Sequence, residues 1–147
     1  MPNLEGKTAI VTGSSRGIGR AIARRLAEDG ARVVLCARTS SALDEVVRTI
    51  AAASGKAAAI ALDLRDADSA ARLIDFAVRT FGGLDILVNN AGATRRGAFV
   101  KLTDEDWADS FALKFFGAVR VTRASWPWSM PIPARFWNSG HSAACPM

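Results

Sequence analysis

Two kinds of apolar pattern alternate along this chain. Thr8 to Val11, Arg32 to Ala37, Ala57 to Leu62 and Leu84 to Val88 are short, nearly unbroken apolar runs, several of them rich in Val and Ile, as strands buried on both faces require. Between them the apolar residues recur three and four positions apart, as at Ile18, Ala21, Ile22 and Leu26, and that spacing predicts helices. Gly30 closes the first of these. Thr39 to Ser41 offers N-caps for a second that runs to Ala53 and stops at Ser54 and Gly55. Asp66 or Asp68 caps a third, which Gly82 and Gly83 end after Phe81. A strand returns roughly every 25 to 30 residues, the spacing of successive βα units in a parallel sheet, with right-handed crossovers placing helices on both faces.

Beyond the fourth run a loop carrying Arg95, Arg96 and Gly97 leads to a long helix from Thr103. Thr103 with Asp106 predicts a capping box, and Asp104 and Glu105 favour the positive end of the helix dipole. Trp107, Phe111, Phe115, Ala118 and Thr122 fall on one stripe, with Phe116 and Val119 beside it; the expectation is that this stripe packs on the sheet, with a partner subunit the second reading. Near Ser125 the pattern stops. The remainder holds three of the four Trp, four of the five Pro and the only His, so residues 1–125 are read as one domain and 126–147 as an irregular tail. A shifted reading frame after about codon 127 would produce such a break, and the coding DNA checks this directly.

Composition narrows the picture modestly. At 147 residues, half of them hydrophobic, the chain suits one domain with a real core. The net charge of +5 comes from Arg residues scattered among acidic ones, with no run longer than two, which predicts a solvated basic surface with no nucleic-acid partner. Cys36 and Cys145 have no metal or disulfide spacing, and Cys36 reads as a small core residue. The first strand begins too early to leave room for a secretory leader, and no uncharged run spans a bilayer, so the expectation is a cytoplasmic protein without a membrane partner and without a metal.

The chemistry concentrates where the first strand meets the first helix, in Val11 to Gly19, VTGSSRGIG. Gly13 can take the positive φ that leaves the strand sharply, Gly17 lets backbone N–H groups approach a pyrophosphate, and Gly19 lets the helix lie close. The helix N-terminus then presents unpaired N–H groups and a positive dipole end to an anion. Thr12, Ser14 and Ser15 are expected to add hydroxyls at the same mouth.

TGSSRGIG at 12–19, Asp63-Leu64 after the third strand and NNAG at 89–92 after the fourth together resemble the short-chain dehydrogenase/reductase family, over positions 1 to about 127. The resemblance implies an α/β fold, a Rossmann-type doubly wound parallel sheet, here truncated after the fourth strand and the following helix. Gly13, Ser15, Arg16, Gly17, Ile18 and Gly19 would then cradle the cofactor. Asp63 would accept a hydrogen bond from the adenine amino group, with the Leu64 backbone completing the contact. Asn90 would steady the central strands, and Ala91 and Gly92 would give the riboses an unobstructed surface. Family members that prefer NAD carry an acidic residue where this chain has Ala37; with Arg38 following and Arg16 in the glycine turn, NADP(H) is the expected cofactor.

The resemblance also implies hydride transfer between nicotinamide and a carbonyl/alcohol pair, for which the family uses a Tyr-x-x-x-Lys motif and a Ser. This sequence has no Tyr, so no catalytic residue is assigned. The family's helix Asn falls at Lys114, and its role is not carried over. The reading is an NADP(H)-dependent oxidoreductase by descent, in a truncated form lacking catalysis, with a small carbonyl or alcohol substrate only in a longer form and a homo-oligomer in prospect. A non-catalytic dinucleotide-binding module is the alternative, and a nucleic-acid binder a weaker third. An open fourth-strand edge predicts poor solubility.

Overall fold

The computed structural model describes residues 3–129. Four strands, β1 (Thr8–Thr12), β2 (Arg32–Ala37), β3 (Lys56–Ala61) and β4 (Ile86–Val88), pair in parallel in the order β3-β2-β1-β4. The doubly wound order arises because the first crossovers run to one side of β1 and the last to the other. The bounds of β2 match its apolar run, and those of the other three strands differ from theirs by one or two residues. Leu84 lies outside β4 but is buried, and Asp85 beside it holds the start of β1: its backbone N–H donates to the Thr8 carbonyl at 2.9 Å, and its Oδ2 accepts from the Thr8 N–H at 2.9 Å.

Strand alternation divides the core in two. Ile10, Val34 and Cys36 face one side, where they meet Leu73, Ile74 and Ala77 of helix α3 (Ser69–Phe81), together with Leu113 and Val121. Ala9, Val11, Val33 and Leu35 face the other, covered by α1 (Gly17–Glu28) and α2 (Ser40–Ala52) through Ala23, Leu43, Val46 and Ile50. All five residues of β1 are buried, as expected for the central strand. Among the described residues β4 has a strand on one side only.

The helix starts correct two expectations and bear out a third. Thr39 occupies the N-cap of α2 and makes no side-chain cap bond. At α3 neither acidic residue caps with its carboxylate: Asp68 sits at the N-cap with helical backbone angles and pairs with Arg72 at 3.7 Å, while Asp66 serves a turn through its backbone. The capping box of α4 (Asp104–Phe111) does form, with the Asp106 N–H donating to Thr103 Oγ1 at 3.3 Å and the Thr103 N–H to Asp106 Oδ2 at 3.1 Å.

The chain beyond α4 is not one regular helix. Residues Ala112–Gly117 are π-helical and continue into α5 (Ala118–Ser129), which carries Pro127 and so runs past the expected break at residue 126. The rest of the expected tail, with His141 and Cys145, lies outside the described residues. The aromatic stripe does not pack on the sheet. Trp107, Phe111, Phe115 and Phe116 are 40–54 % exposed, whereas Ser110, Leu113, Gly117, Val121 and Ser125 form the buried face. The helix is apolar on both sides, and the small and aliphatic side chains let it approach the sheet more closely than bulky rings would. No helix of the described residues is long and apolar enough to cross a membrane.

Candidate functional site

At the C-terminal ends of the strands the glycine turn, the β2–α2 junction, the segment after β3 and the segment after β4 enclose a cleft of about 700 Å³. Gly13, Ser15, Arg16, Gly17, Ile18, Gly19, Arg38, Asp63, Leu64, Asn90, Ala91 and Gly92 all line it, from motifs up to 79 positions apart. Open parallel sheets place their ligand crevice at this end, where neighbouring crossovers diverge.

The turn is held by three side chains with different partners. Asn90 Nδ2 donates to the carbonyls of Thr12 at 3.0 Å and Gly13 at 3.1 Å, joining the ends of β1 and β4. Thr12 and Ser14 do not face the mouth as expected; both are buried, at 1 % and 0 % exposure. Thr12 Oγ1 accepts from the N–H groups of Asn90 at 3.0 Å and Ala91 at 2.9 Å and donates to the Val88 carbonyl at 3.3 Å. Ser14 Oγ accepts from the Cys36 N–H at 3.1 Å, so its hydroxyl ties the turn to β2. Only Ser15 of the three hydroxyls lines the cleft.

Gly19 is fixed by space. A Cβ there would overlap the Gly13 carbonyl oxygen and Asn90 Nδ2, so the glycine brings the first turn of α1 against the loop and the Asn90 amide. Gly17 differs: it has φ +56°, and a Cβ on it would meet nothing within 4 Å, leaving its backbone bare on the cleft. Arg16 is the N-cap of α1 and makes no side-chain cap bond, so the N–H groups of this helix start have no side-chain acceptor from the cap.

Charged side chains gather at the segment after β3. Arg65 donates from its backbone and from Nη1 to Asp63 Oδ1, at 3.0 and 3.3 Å, and from Nε and Nη2 to the two oxygens of Asp109 in α4, at 2.6 and 2.9 Å. The Arg65 hydrogen bonds, with the charges of Arg65 and Arg38, hold the Asp109 carboxyl below the usual carboxylate range. Burial, reinforced by the charge of Asp63, pushes the Cys36 thiol up to about 12, so this thiol stays protonated and unreactive. Lys114 lays its side chain over Gly92, where a Cβ would come within 3.1 Å of Lys114 Cγ.

Several residues of the cleft fall outside the three sequence motifs. Cys36, Thr39, Ala42, Leu62, Ala93 and Leu113 also line it. Thr39 and Ala42 had a signal, since they follow Arg38 into the start of α2. Leu113 had none, because its position depends on how the π-helical segment crosses the sheet end.

A parallel α/β sheet with a glycine turn opening its first helix, and a cleft where the crossovers diverge, defines a nucleotide-binding fold of the doubly wound class. Within that class, the model of the short-chain dehydrogenase family matches residues 7–131, and the chain belongs to this family. It is 45 % identical over 126 residues to an uncharacterized oxidoreductase of Methylorubrum extorquens, covering 85 % of this chain and 51 % of that protein. A dehydrogenase/reductase from Sinorhizobium meliloti superposes with a TM-score of 0.83 at 41 % identity, covering 86 % of this chain and 51 % of the other. A metagenomic short-chain oxidoreductase solved in complex with NADP gives 0.80 at 40 % identity, covering 85 % and 57 %. The chain thus spans about half the length of the relatives it matches.

Proposed function

We propose that this chain is the NADP(H)-binding part of a dehydrogenase/reductase that passes hydride between the nicotinamide and a carbonyl/alcohol pair, and that by itself it binds the dinucleotide without turnover. One observation carries the cofactor choice: Arg16 and Arg38 both line the cleft, and Ala37, which lines it too, supplies no carboxylate to repel a 2′-phosphate. The NADP complex of the metagenomic relative supports the same reading. The site suits such a ligand. The bare Gly17 backbone and the α1 N-terminus would take the pyrophosphate, the two guanidiniums the 2′-phosphate, Asp63 and the Leu64 backbone the adenine, and Ala91 and Gly92 the riboses.

Bound NADP(H) would supply the hydride. This chain's residues would orient it, and with no Tyr among the 147 they offer no phenol to exchange the substrate proton. That absence is also what favours the second reading, a non-catalytic dinucleotide-binding module.

Fluorescence titration tests the proposal. NADPH should bind about 10- to 100-fold more tightly than NADH, the range for charge-assisted hydrogen bonds to one phosphate. Replacing both Arg16 and Arg38 by Ala should bring NADPH down to the NADH level and leave NADH unchanged. Equal affinities in the unaltered chain would overturn the phosphate assignment, and no binding of either would overturn the whole reading. Mixed with NADPH and simple ketones, the chain should leave the nicotinamide absorbance unchanged.

A further inference from the structure

We propose that Arg65 is a positioning residue for adenine recognition: backed by Asp109, it fixes the Asp63 carboxylate in the orientation that accepts the exocyclic amino group of the base. This rests on the NADP(H) reading above. The guanidinium lies between two carboxylates and uses both edges. Its Nε and Nη2 edge grips both oxygens of Asp109, and Nη1 turns the other way to Asp63. Arg65 is 19 % exposed while Asp63 and Asp109 are 32 % and 60 % exposed, so the cation is the least solvated of the three and the least free to move.

Asp63 Oδ1 is already doubly engaged, by the backbone N–H and by Nη1 of Arg65. Oδ2 lies 3.5 Å from Nη1 and is the less engaged oxygen of a side chain that lines the cleft. Rotation of the carboxylate would break both bonds to Oδ1. The segment is held from behind as well: Arg120 Nη1 donates to the Arg65 carbonyl at 3.3 Å, and Gly117 approaches so closely that a Cβ there would lie 3.2 Å from the Leu64 carbonyl oxygen. A carboxylate set in place before the ligand arrives loses less orientational freedom on binding. Lysine at position 65 cannot reproduce this, because a single ammonium lacks the planar fork that reaches two carboxylates at once.

If Arg65 and Asp109 only anchored α4, their removal would lower stability without changing which base the cleft prefers. Base preference is therefore the readout. NADPH is titrated against the reduced hypoxanthine analogue of NADP, which carries a carbonyl oxygen in place of the adenine amino group. The unaltered chain should prefer NADPH by about tenfold or more, as expected for a hydrogen bond to a charged group. Arg65→Ala and Asp109→Ala should each reduce that ratio by about threefold or more, chiefly by weakening NADPH, and Arg65→Lys should not restore it. Arg79→Ala, at a surface pair with Asp75, should leave it unchanged.

A ratio unaltered in Arg65→Ala and Asp109→Ala would overturn the inference. So would equal binding of the two dinucleotides by the unaltered chain, which would leave the cofactor reading standing. Failure to bind either would remove that reading and the inference with it. Should Arg65→Ala not fold, Asp109→Ala decides the matter from its more exposed position.

Discussion

Asn90 shows how much a single amide can hold. Its Nδ2 serves two carbonyls in a part of the molecule where no other described side chain donates to them, and it also forms the wall against which Gly19 sits. Asn90→Ala should lower the unfolding free energy by about 1–3 kcal/mol, the range for buried acceptors left without a donor, and should weaken NADPH binding in parallel. Urea unfolding and a fluorescence titration on the same sample check both. The glycines were legible in the sequence because their roles come from backbone shape, which a local motif encodes, whereas the role of Asn90, whose partners lie 77 and 78 positions away, was implied only by the family resemblance. Thr12 and Ser14 were misread for the converse reason. Where a hydroxyl points depends on Asn90 and Cys36, which lie 78 and 22 positions away.

At the scale of elements, the stretch from Thr103 onward is where pattern and packing part company. Its capping box and helical character come from local sequence, but apolar residues occupy both sides, so spacing alone cannot say which side is inside. The π-helical segment compounds this by changing the residue phase between α4 and α5. Adjacent substitutions separate the faces: Leu113→Ala should cost about 2–5 kcal/mol as a buried large-to-small change, and Phe115→Ala less than about 1 kcal/mol, by urea denaturation. Between β1 and β4 the clamp is electrostatic. The Thr8 N–H first, and then Lys7 at 3.0 Å, hold Asp85 below the usual carboxylate range. A carboxyl with a depressed folded-state pKa contributes stability above its unfolded pKa of about 3.9 and loses it as the pH falls through the lower folded value. The urea midpoint should therefore drop more steeply below about pH 4 in the unaltered chain than in Asp85→Asn.

For the whole molecule, a parallel sheet with helices on both faces was implied by the four apolar runs, and its doubly wound form and cofactor cleft by the family that the three motifs resemble. A central strand buried throughout, with alternate residues feeding opposite cores, leaves little freedom once the glycine turn marks its end. Less legible was the outer surface, where Phe99, Val100 and the aromatic stripe stand exposed. Hydrophobicity identifies candidates for an interior without saying which of them are covered.

Cys36 lies at the middle of this arrangement, fully buried in β2, with a thiol that does not ionise at neutral pH. It is a built-in clock for global opening. In a Cys145→Ser background, iodoacetamide should modify it only as fast as the sheet comes apart, at a rate that NADPH slows and urea accelerates; labelling within seconds in native buffer would mean that this half of the molecule breathes locally.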